Sequence, residues 1–522
     1  MFAAVSLFAQ QQRPNIIFLL TDDHRWDAMG AMGNKIIQTP NLDKLAGKGL
    51  LFQNAYVTTS ICCVSRASIL TGQYESRHKV NDFTTDLTKE QVANTYPILL
   101  KGAGYKIGFI NKYGVGQKQQ PKELYDYWTA TTKLQPDYEM KDASGRFIHN
   151  TDSVDHSIQQ FLDSFGKGGP FCLSVGFKAP HEQDGTPPRF IVQERFKNLY
   201  NNVNIPEPLT ADPKYWASFP DFFRTDQNIG RERWKPLFST PELYQETVKN
   251  YYRLITGVDE VMGHLMNKLQ ALGIAGNTII IFMGDNGFYL GEHGLEGKWF
   301  GHEESIRVPL IVYDPQLPKN MKGSKPVQMA LNVDVAPTIL SAAGVPVPGG
   351  MQGINLLAVL QKKAPGREDF FYEHTYQKSP KLPQVEGVVT GRFKYMKFIE
   401  HGYEELYDVK ADPHETTNLA AVPKYKQQLA ALRKRYEELK IAARWSREAF
   451  GEWGLILFSF AAHQSLDDVL KFNGNREVEI QKVKGKNQTL SAEGKTILIL
   501  PFALPKSSLF WNRLHDLYPL SL

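Results

Sequence analysis

Two adjacent cysteines, Cys62 and Cys63, stand in a run of small and hydroxylated residues from Thr58 to Gly72, with Arg66 four positions after the first. A nucleophile at the start of a helix gains from the free backbone N–H groups and the positive end of the helix dipole, which favour an anion there. Ala67 to Leu70 reads as such a helix and Gly72 as its stop. The stretch is therefore a candidate active-site turn; the alternative is a loop holding two inert, apolar thiols.

Other residues could serve the same chemistry. Asp22 and Asp23 directly follow the apolar run Ile16 to Leu20. Adjacent carboxylates repel, and burial makes both costlier, so such a pair at a strand end points to a cation. Gly284-Asp285-Asn286-Gly287 follows a second apolar run, Thr278 to Met283. The two turns together offer three carboxylates and an amide oxygen, hard ligands that suit Ca²⁺ or Mg²⁺ better than zinc. Cations recur at comparable places: Lys112 after Lys106 to Asn111, Lys178 and His181 after Phe171 to Phe177, and Lys298 beyond the Asp-Asn turn. Metal, arginine, lysines and a histidine converging on one nucleophile describe a site for transfer of a tetrahedral oxyanion.

These residues need a frame that brings strand ends together. Apolar runs without alternation read as strands buried on both faces: Ile16 to Leu20, Lys106 to Asn111, Phe171 to Phe177, Thr278 to Met283 and Val308 to Tyr313, with Leu50 to Val57 as a further strand. Helical patterns fall between them at Asn41 to Lys48, Thr95 to Ala103, Ser153 to Phe165, Glu242 to Leu272 and Asp334 to Ala343. This alternation predicts an α/β fold in which a large, mostly parallel central sheet is sandwiched by helices, with ligand chemistry at the carboxyl ends of its strands. The stretch from Asp184 to Thr240, rich in Pro, Trp, Tyr, Phe and Arg, breaks the rhythm and reads as an ordered insertion that walls a cleft. After Val345 to Gly350 the pattern becomes four short strands (Phe370 to Tyr372, Val385 to Thr390, Lys394 to Ile399, Glu405 to Val409) and a helix from Pro423 to Lys440. That predicts a smaller C-terminal antiparallel sheet plus helix subdomain.

The chain has 522 residues and a formal net charge of +5, with basic residues scattered, which gives no support to nucleic-acid binding. Three cysteines, the third being Cys172 in an apolar run, cannot form a disulfide framework. Met1 to Gln10 is apolar and rich in small residues but lacks a basic flank; it resembles the end of a secretory signal and predicts export. No segment is apolar for long enough to span a bilayer.

Cys62-Cys-Val-Ser-Arg-Ala-Ser-Ile-Leu-Thr-Gly72 resembles the signature of type I, formylglycine-dependent sulfatases of the alkaline-phosphatase-like superfamily: Cys-x-Pro-Ser-Arg followed by a helix ending in Thr-Gly. Pro14 to Asp23, Thr39 to Leu45, Gly284 to Gly294 with Lys298 and Glu304 to Leu310, and Glu405 to Glu415 with Asn418-Leu419 resemble further blocks of that family. The likeness spans residues 13 to 440. It implies a catalytic domain over residues 13–360 and the C-terminal subdomain over 361–440, leaving 1–12 as a signal remnant and 441–522 as a tail without an assigned role.

The resemblance also implies roles. Cys62, rather than Cys63, falls where the family's cysteine is converted to formylglycine by a maturation enzyme. Asp22, Asp23, Asp285 and Asn286, with the modified Cys62, fall at the ligands of one Ca²⁺ ion. Arg66 would hold the nucleophile, Lys112 and Lys298 would bind sulfate oxygens, and His181 would protonate the leaving alkoxide. The implied activity is hydrolysis of sulfate esters, on a sulfated carbohydrate or another small sulfated molecule. A phosphodiester or phosphonate monoester hydrolase, and a non-catalytic binder of sulfated glycans, are the alternatives. Two positions depart from the pattern: Val64 replaces the usual Pro or Ala, and Lys112-Tyr-Gly114 replaces Lys-Trp-His.

Overall fold

The computed structural model describes residues 13–444 except 143, and the backbone of four short strands beyond residue 469. The possible signal remnant and the strand-like run Leu455 to Ala462 lie outside the described residues.

Seven strands form the central sheet: β1 (Asn15–Asp22), β2 (Leu50–Leu51), β3 (Lys106–Asn111), β4 (Tyr127–Ala130), β5 (Phe171–Pro180), β6 (Thr278–Gly284) and β7 (Leu310–Tyr313). Their order is β2-β7-β6-β1-β5-β3-β4, and only β7 runs against the others. The apolar runs behave as expected for a sheet covered on both faces. Ile17 and Leu19 of β1 join one core with residues of the helices α1 (Pro40–Lys48), α3 (Asn150–Phe165) and α4 (Pro241–Ala271); α2 (Cys62–Thr71) lies between α1 and α3 in sequence. Ile16, Phe18 and Leu20 join the opposite core with Ala67, Ile69 and Leu70 of α2. Cys172 is buried in that second core.

Two local expectations need correction. Leu50 to Val57 is not one strand: residues 50–51 pair with β7, whereas Asn54–Tyr56 pairs with Met329–Leu331 in a separate two-stranded sheet. The helix expected from Ala67 begins five residues earlier, at Cys62 itself, and ends at Gly72 in the left-handed conformation.

The C-terminal strands β8 (Asp369–His374), β9 (Val385–Thr390), β10 (Phe393–Phe398) and β11 (Tyr403–Asp408) form an antiparallel meander packed by the helix Lys426–Arg444. The opposite face of this sheet shares a core with the site-bearing part of the chain: Phe370, Tyr372, Val385 and Met396 pack with Ile61, Cys63, Val64 and Phe300. Fully buried Lys394 of β10 ties the two by ion pairs to Glu303 (2.8 Å) and Glu415 (2.9 Å). The remaining strands, Leu470–Phe472, Glu479–Lys482, Gln488–Ala492 and Lys495–Ile499, form an antiparallel sheet of their own.

Burial, reinforced by Glu415, pushes the Glu405 carboxyl up to about 8, from an ordinary value of 4.5. The folded state therefore keeps a proton that the unfolded chain releases. This contribution to stability is complete below about pH 4.5 and is lost as pH rises through about 8. Glu405→Gln is expected to flatten the fall in melting temperature between pH 5 and 8.

Candidate active site

The parallel strands bring their carboxyl ends to one rim. Asp22 pairs with Pro180, Thr21 with Gly284, and Asn111 with Gly176, which sets Asp22, Asp285, Lys112 and His181 on adjacent strand ends. Asp23 takes a left-handed backbone (φ 63°), which an aspartate tolerates and which ends β1 sharply. Cys62 reaches this rim as the first residue of α2, with no side chain capping the helix. All ten residues of α2 are buried, so its orientation is fixed by packing on every side.

Charges alternate around the thiol. Arg66 Nε donates to Asp285 Oδ2 at 2.8 Å, and its Nη1 to the Lys112 carbonyl at 2.7 Å. Lys112 Nζ pairs with Asp22. Lys298 Nζ bridges both oxygens of Asp23 at 2.6 and 2.8 Å. Asn286 Nδ2 donates to Asp23 Oδ1 at 2.6 Å, and the Asp23 N–H to Asp285 Oδ1 at 3.1 Å. His181 Nδ1 lies 2.7 Å from the Glu182 carbonyl and its Nε2 3.5 Å from Asp23 Oδ2. Every residue assigned a role by the resemblance is thus in one buried cluster.

The environment sorts the titrating groups. Burial opposes ionisation of Asp22, but the charge of Lys112, joined by Arg66 and Lys298, overcomes it and holds the carboxyl well below its usual range. Burial, with Asp22 nearby, pushes Asp285 up to about 7 despite Arg66. Burial and the charge of Lys298 depress His181, so its imidazole is neutral. Burial raises the Cys62 thiol, and the charges acting on it are those of Lys112, Asp22, Lys298 and Asp285. Cys63, one residue on, is instead packed in the apolar cluster with Val64 and Ile61.

The donor set fits a hard divalent cation. Asp22, Asp23 and Asp285 offer carboxylate oxygens and Asn286 an amide oxygen, all four residues are buried, and among the described residues Asp22 Oδ1 and Asn286 Oδ1 have no hydrogen-bond partner. Atoms of Asp22, Asp23 and His181 lie within 4.8 Å of one another.

Gly114 has a structural reason. Its φ is +71°, and a Cβ there would stand 2.8 Å from Arg66 Cδ, so a larger residue would collide with the arginine side chain beside Cys62.

Two tyrosines escaped the sequence reading as site components. Tyr251 donates to the Asp23 carbonyl (2.6 Å) and accepts from the Arg25 N–H (3.0 Å); Tyr138 donates to the His181 carbonyl (2.6 Å). Lys178, buried and without a hydrogen-bond partner among the described residues, places its ammonium 5.0 Å over the Tyr138 ring. The available signal was a tyrosine on a core-facing position, whose hydroxyl must find a partner. The insertion is tied into the body of the protein. Its aromatics are used within the protein: Phe219 and Phe223 are core residues, and Phe222 stacks on His401 at 3.8 Å. Arg233 of the helix Ile229–Phe238 clamps Glu182, which follows His181, and Glu296 (3.0 Å), two residues before Lys298.

Comparison with known proteins accords with this geometry. The family model described as Sulfatase matches residues 14–345, and that described as N-sulphoglucosamine sulphohydrolase, C-terminal, matches 291–442. The chain is 30% identical over 498 residues to an N-acetylglucosamine-6-O-sulfatase of Bacteroides thetaiotaomicron, covering 82% of this chain and 86% of that one. It is 27% identical over 478 residues to an N-acetylglucosamine-6-sulfatase of Homo sapiens, covering 79% and 82%. Among solved structures it is similar to BT4656 in complex with its substrate D-glucosamine-2-N,6-O-disulfate, with a TM-score of 0.70 and 28% identity, covering 83% of this chain and 98% of that one. A phosphonate monoester hydrolase of Agrobacterium radiobacter shares the fold (TM-score 0.68, 20% identity, covering 88% and 98%). A family match over most of the described chain, joined by a 30% identical relative covered over most of its length, means that this chain belongs to the sulfatase family and is an enzyme that hydrolyses sulfate esters.

Proposed function

We propose that this sulfatase removes a 6-O-sulfate from a glucosamine unit of a sulfated carbohydrate, using a formylglycine made from Cys62 and one Ca²⁺ ion. The observation that carries the chemical part is the position of Cys62: first residue of a buried helix, among Asp22, Asp285, Lys112 and Lys298. The substrate part is supported by the names of the relatives from Bacteroides thetaiotaomicron and Homo sapiens and by the disulfated glucosamine bound to BT4656. Export is supported by the apolar start of the chain and by similarity to a protein named extracellular sulfatase in Drosophila melanogaster, 29% identical over 391 residues; among the described residues no helix is long and apolar enough to cross a membrane.

Asp22, Asp23, Asp285 and Asn286 would hold the ion, which when bound supplies Lewis-acid polarisation of an oxygen on the sulfate. Conversion of Cys62 would supply a hydroxyl nucleophile in place of the thiol. Arg66, fixed by Asp285 and the Lys112 carbonyl, presents positive charge beside that nucleophile. Lys112 and Lys298 receive the non-bridging sulfate oxygens, exchanging part of their contact with Asp22 and Asp23 for contact with substrate. The Nδ1–H of His181 donates to the Glu182 carbonyl, which leaves Nε2 to hold and release a proton at the departing alkoxide. Because the ring is neutral at rest, it must take up that proton before giving it.

Mass spectrometry of the peptide containing Cys62, from protein made in its native host, should find the aldehyde. An unmodified thiol there would overturn the formylglycine reading. Turnover of glucosamine-6-sulfate, compared with galactosamine-6-sulfate and an aryl phosphodiester, tests the substrate. Treatment with a calcium chelator should abolish turnover and lower the melting temperature, and added Ca²⁺ should restore both.

A further inference from the structure

Two arginines of the insertion, exposed Arg189 and half-buried Arg231, have no acid to hold among the described residues. Arg195, Arg224 and Arg233 each pair with a carboxylate, but Arg231, on the helix Ile229–Phe238, enters no ion pair among the described residues. Its guanidinium lies 3.8 Å from the Trp234 ring centroid and 4.8 Å from that of Trp216. Its one side-chain hydrogen bond runs from Nη1 to the Gly294 carbonyl at 3.0 Å. Packing between indoles strips water from the group and lowers its basicity, with only Asp226 acting in the other direction, and Asp226 is itself held by Lys235 at 2.8 Å. A guanidinium oriented in this way, with Nε and Nη2 uncommitted to protein, is a preformed fork for a planar carboxylate or a sulfate.

The helix that carries Arg231 is tied to the loops of the site. Arg233, two residues along the same helix, holds that helix to the loops carrying His181 and Lys298. Gly294 precedes Lys298 by four residues, at most about 14 Å of extended chain, so Arg231 stands within reach of groups attached to a saccharide bound at the reactive centre.

We infer that Arg231 is a second anion-binding position, taking a sulfate or carboxylate that the substrate carries in addition to the sulfate being cleaved, and that it gives the enzyme a preference for multiply charged saccharides. The inference rests on the sulfated-carbohydrate reading above. Its test compares wild type with Arg231→Met and Arg231→Gln on three substrates: glucosamine-6-sulfate, glucosamine-2-N,6-O-disulfate, and a 6-sulfated glucosamine disaccharide bearing a uronate. Turnover of 4-nitrophenyl sulfate reports that the variants are folded. The expected result is a loss of about tenfold in kcat/KM, through KM, on whichever substrate carries the second anion, with glucosamine-6-sulfate and the aryl sulfate unchanged. Loss confined to the disulfate identifies a sulfate subsite, and loss confined to the disaccharide a carboxylate subsite. Equal losses on all substrates, or none on either doubly charged one, overturn the inference. If wild type cleaves no amino sugar, the substrate reading falls separately. Inhibition of aryl sulfate turnover by a heparin oligosaccharide then still tests Arg231: inhibition weakened about tenfold in both variants supports the subsite, and unchanged inhibition overturns it.

Discussion

Cys62→Ala is expected to lower turnover of any sulfate ester by about 10⁴-fold or more, while Cys63→Ala leaves it within a few-fold of wild type. The two thiols are adjacent in sequence and opposite in surroundings. Cys62 is influenced by Lys112, Asp22, Lys298 and Asp285, the charged lining of the rim. Cys63 belongs to an apolar cluster with Ile61, Val64 and Phe300, so its truncation opens a small cavity and costs about 1–2 kcal/mol of stability rather than chemistry. Steady-state kinetics with an aryl sulfate, read beside melting temperatures, separates the two effects. Equal activity losses would assign the nucleophile to the wrong cysteine.

The second large effect is expected at Arg66. Its side chain is 2% exposed, and its one carboxylate partner among the described residues, Asp285, is fully buried. Arg66→Met leaves that carboxyl unpaired, which costs about 3–5 kcal/mol if it stays ionised and less if it takes up a proton. Burial already holds the Asp285 carboxyl near 7, so protonation is the easier outcome, and the stability loss should be smallest at low pH. Activity is expected to fall about 10²- to 10³-fold, because positive charge is removed from beside the nucleophile. Arg66→Lys keeps the charge but not the forked contact to Asp285 and the Lys112 carbonyl, and should recover stability more than rate. Full activity in Arg66→Met would remove the arginine from the proposed chemistry.

Much of this architecture is legible in the chain because the strands are buried on both faces. Lys106–Asn111 and Thr278–Gly284 stand out as apolar runs, and the polar residues that follow them are the ones at the rim. What local pattern does not carry is partner choice. No breaker separates Leu51 from Asn54, yet the two segments join different sheets, and the antiparallel direction of Leu310–Tyr313 follows from its connection rather than its composition. Cys62 as the helix start was similarly obscured: Cys-Cys-Val-Ser is a weak helix former taken alone, and packing on all sides overrides that preference. At the site, charged residues at strand ends were readable, whereas Tyr138 and Tyr251 act through hydroxyls aimed at backbone carbonyls, which composition does not encode. In the insertion, too, side-chain pairing is not written in local pattern: Trp216 and Trp234 each present one ring face to Arg231.

The burial of Cys62 imposes an order of events on the life of the protein. Cys62 is 1% exposed, the first residue of a wholly buried helix, and its neighbours Ile61, Cys63 and Val64 lie in a core that the C-terminal sheet helps to complete. An enzyme that oxidises this thiol needs the surrounding peptide in its own active site, and the closed fold does not present it. On the proposed reading, conversion must come while the segment is still an extended chain, before Phe370, Val385 and Met396 arrive to close the core. A host that folds the polypeptide faster than it modifies it would accumulate well-formed but permanently inert enzyme.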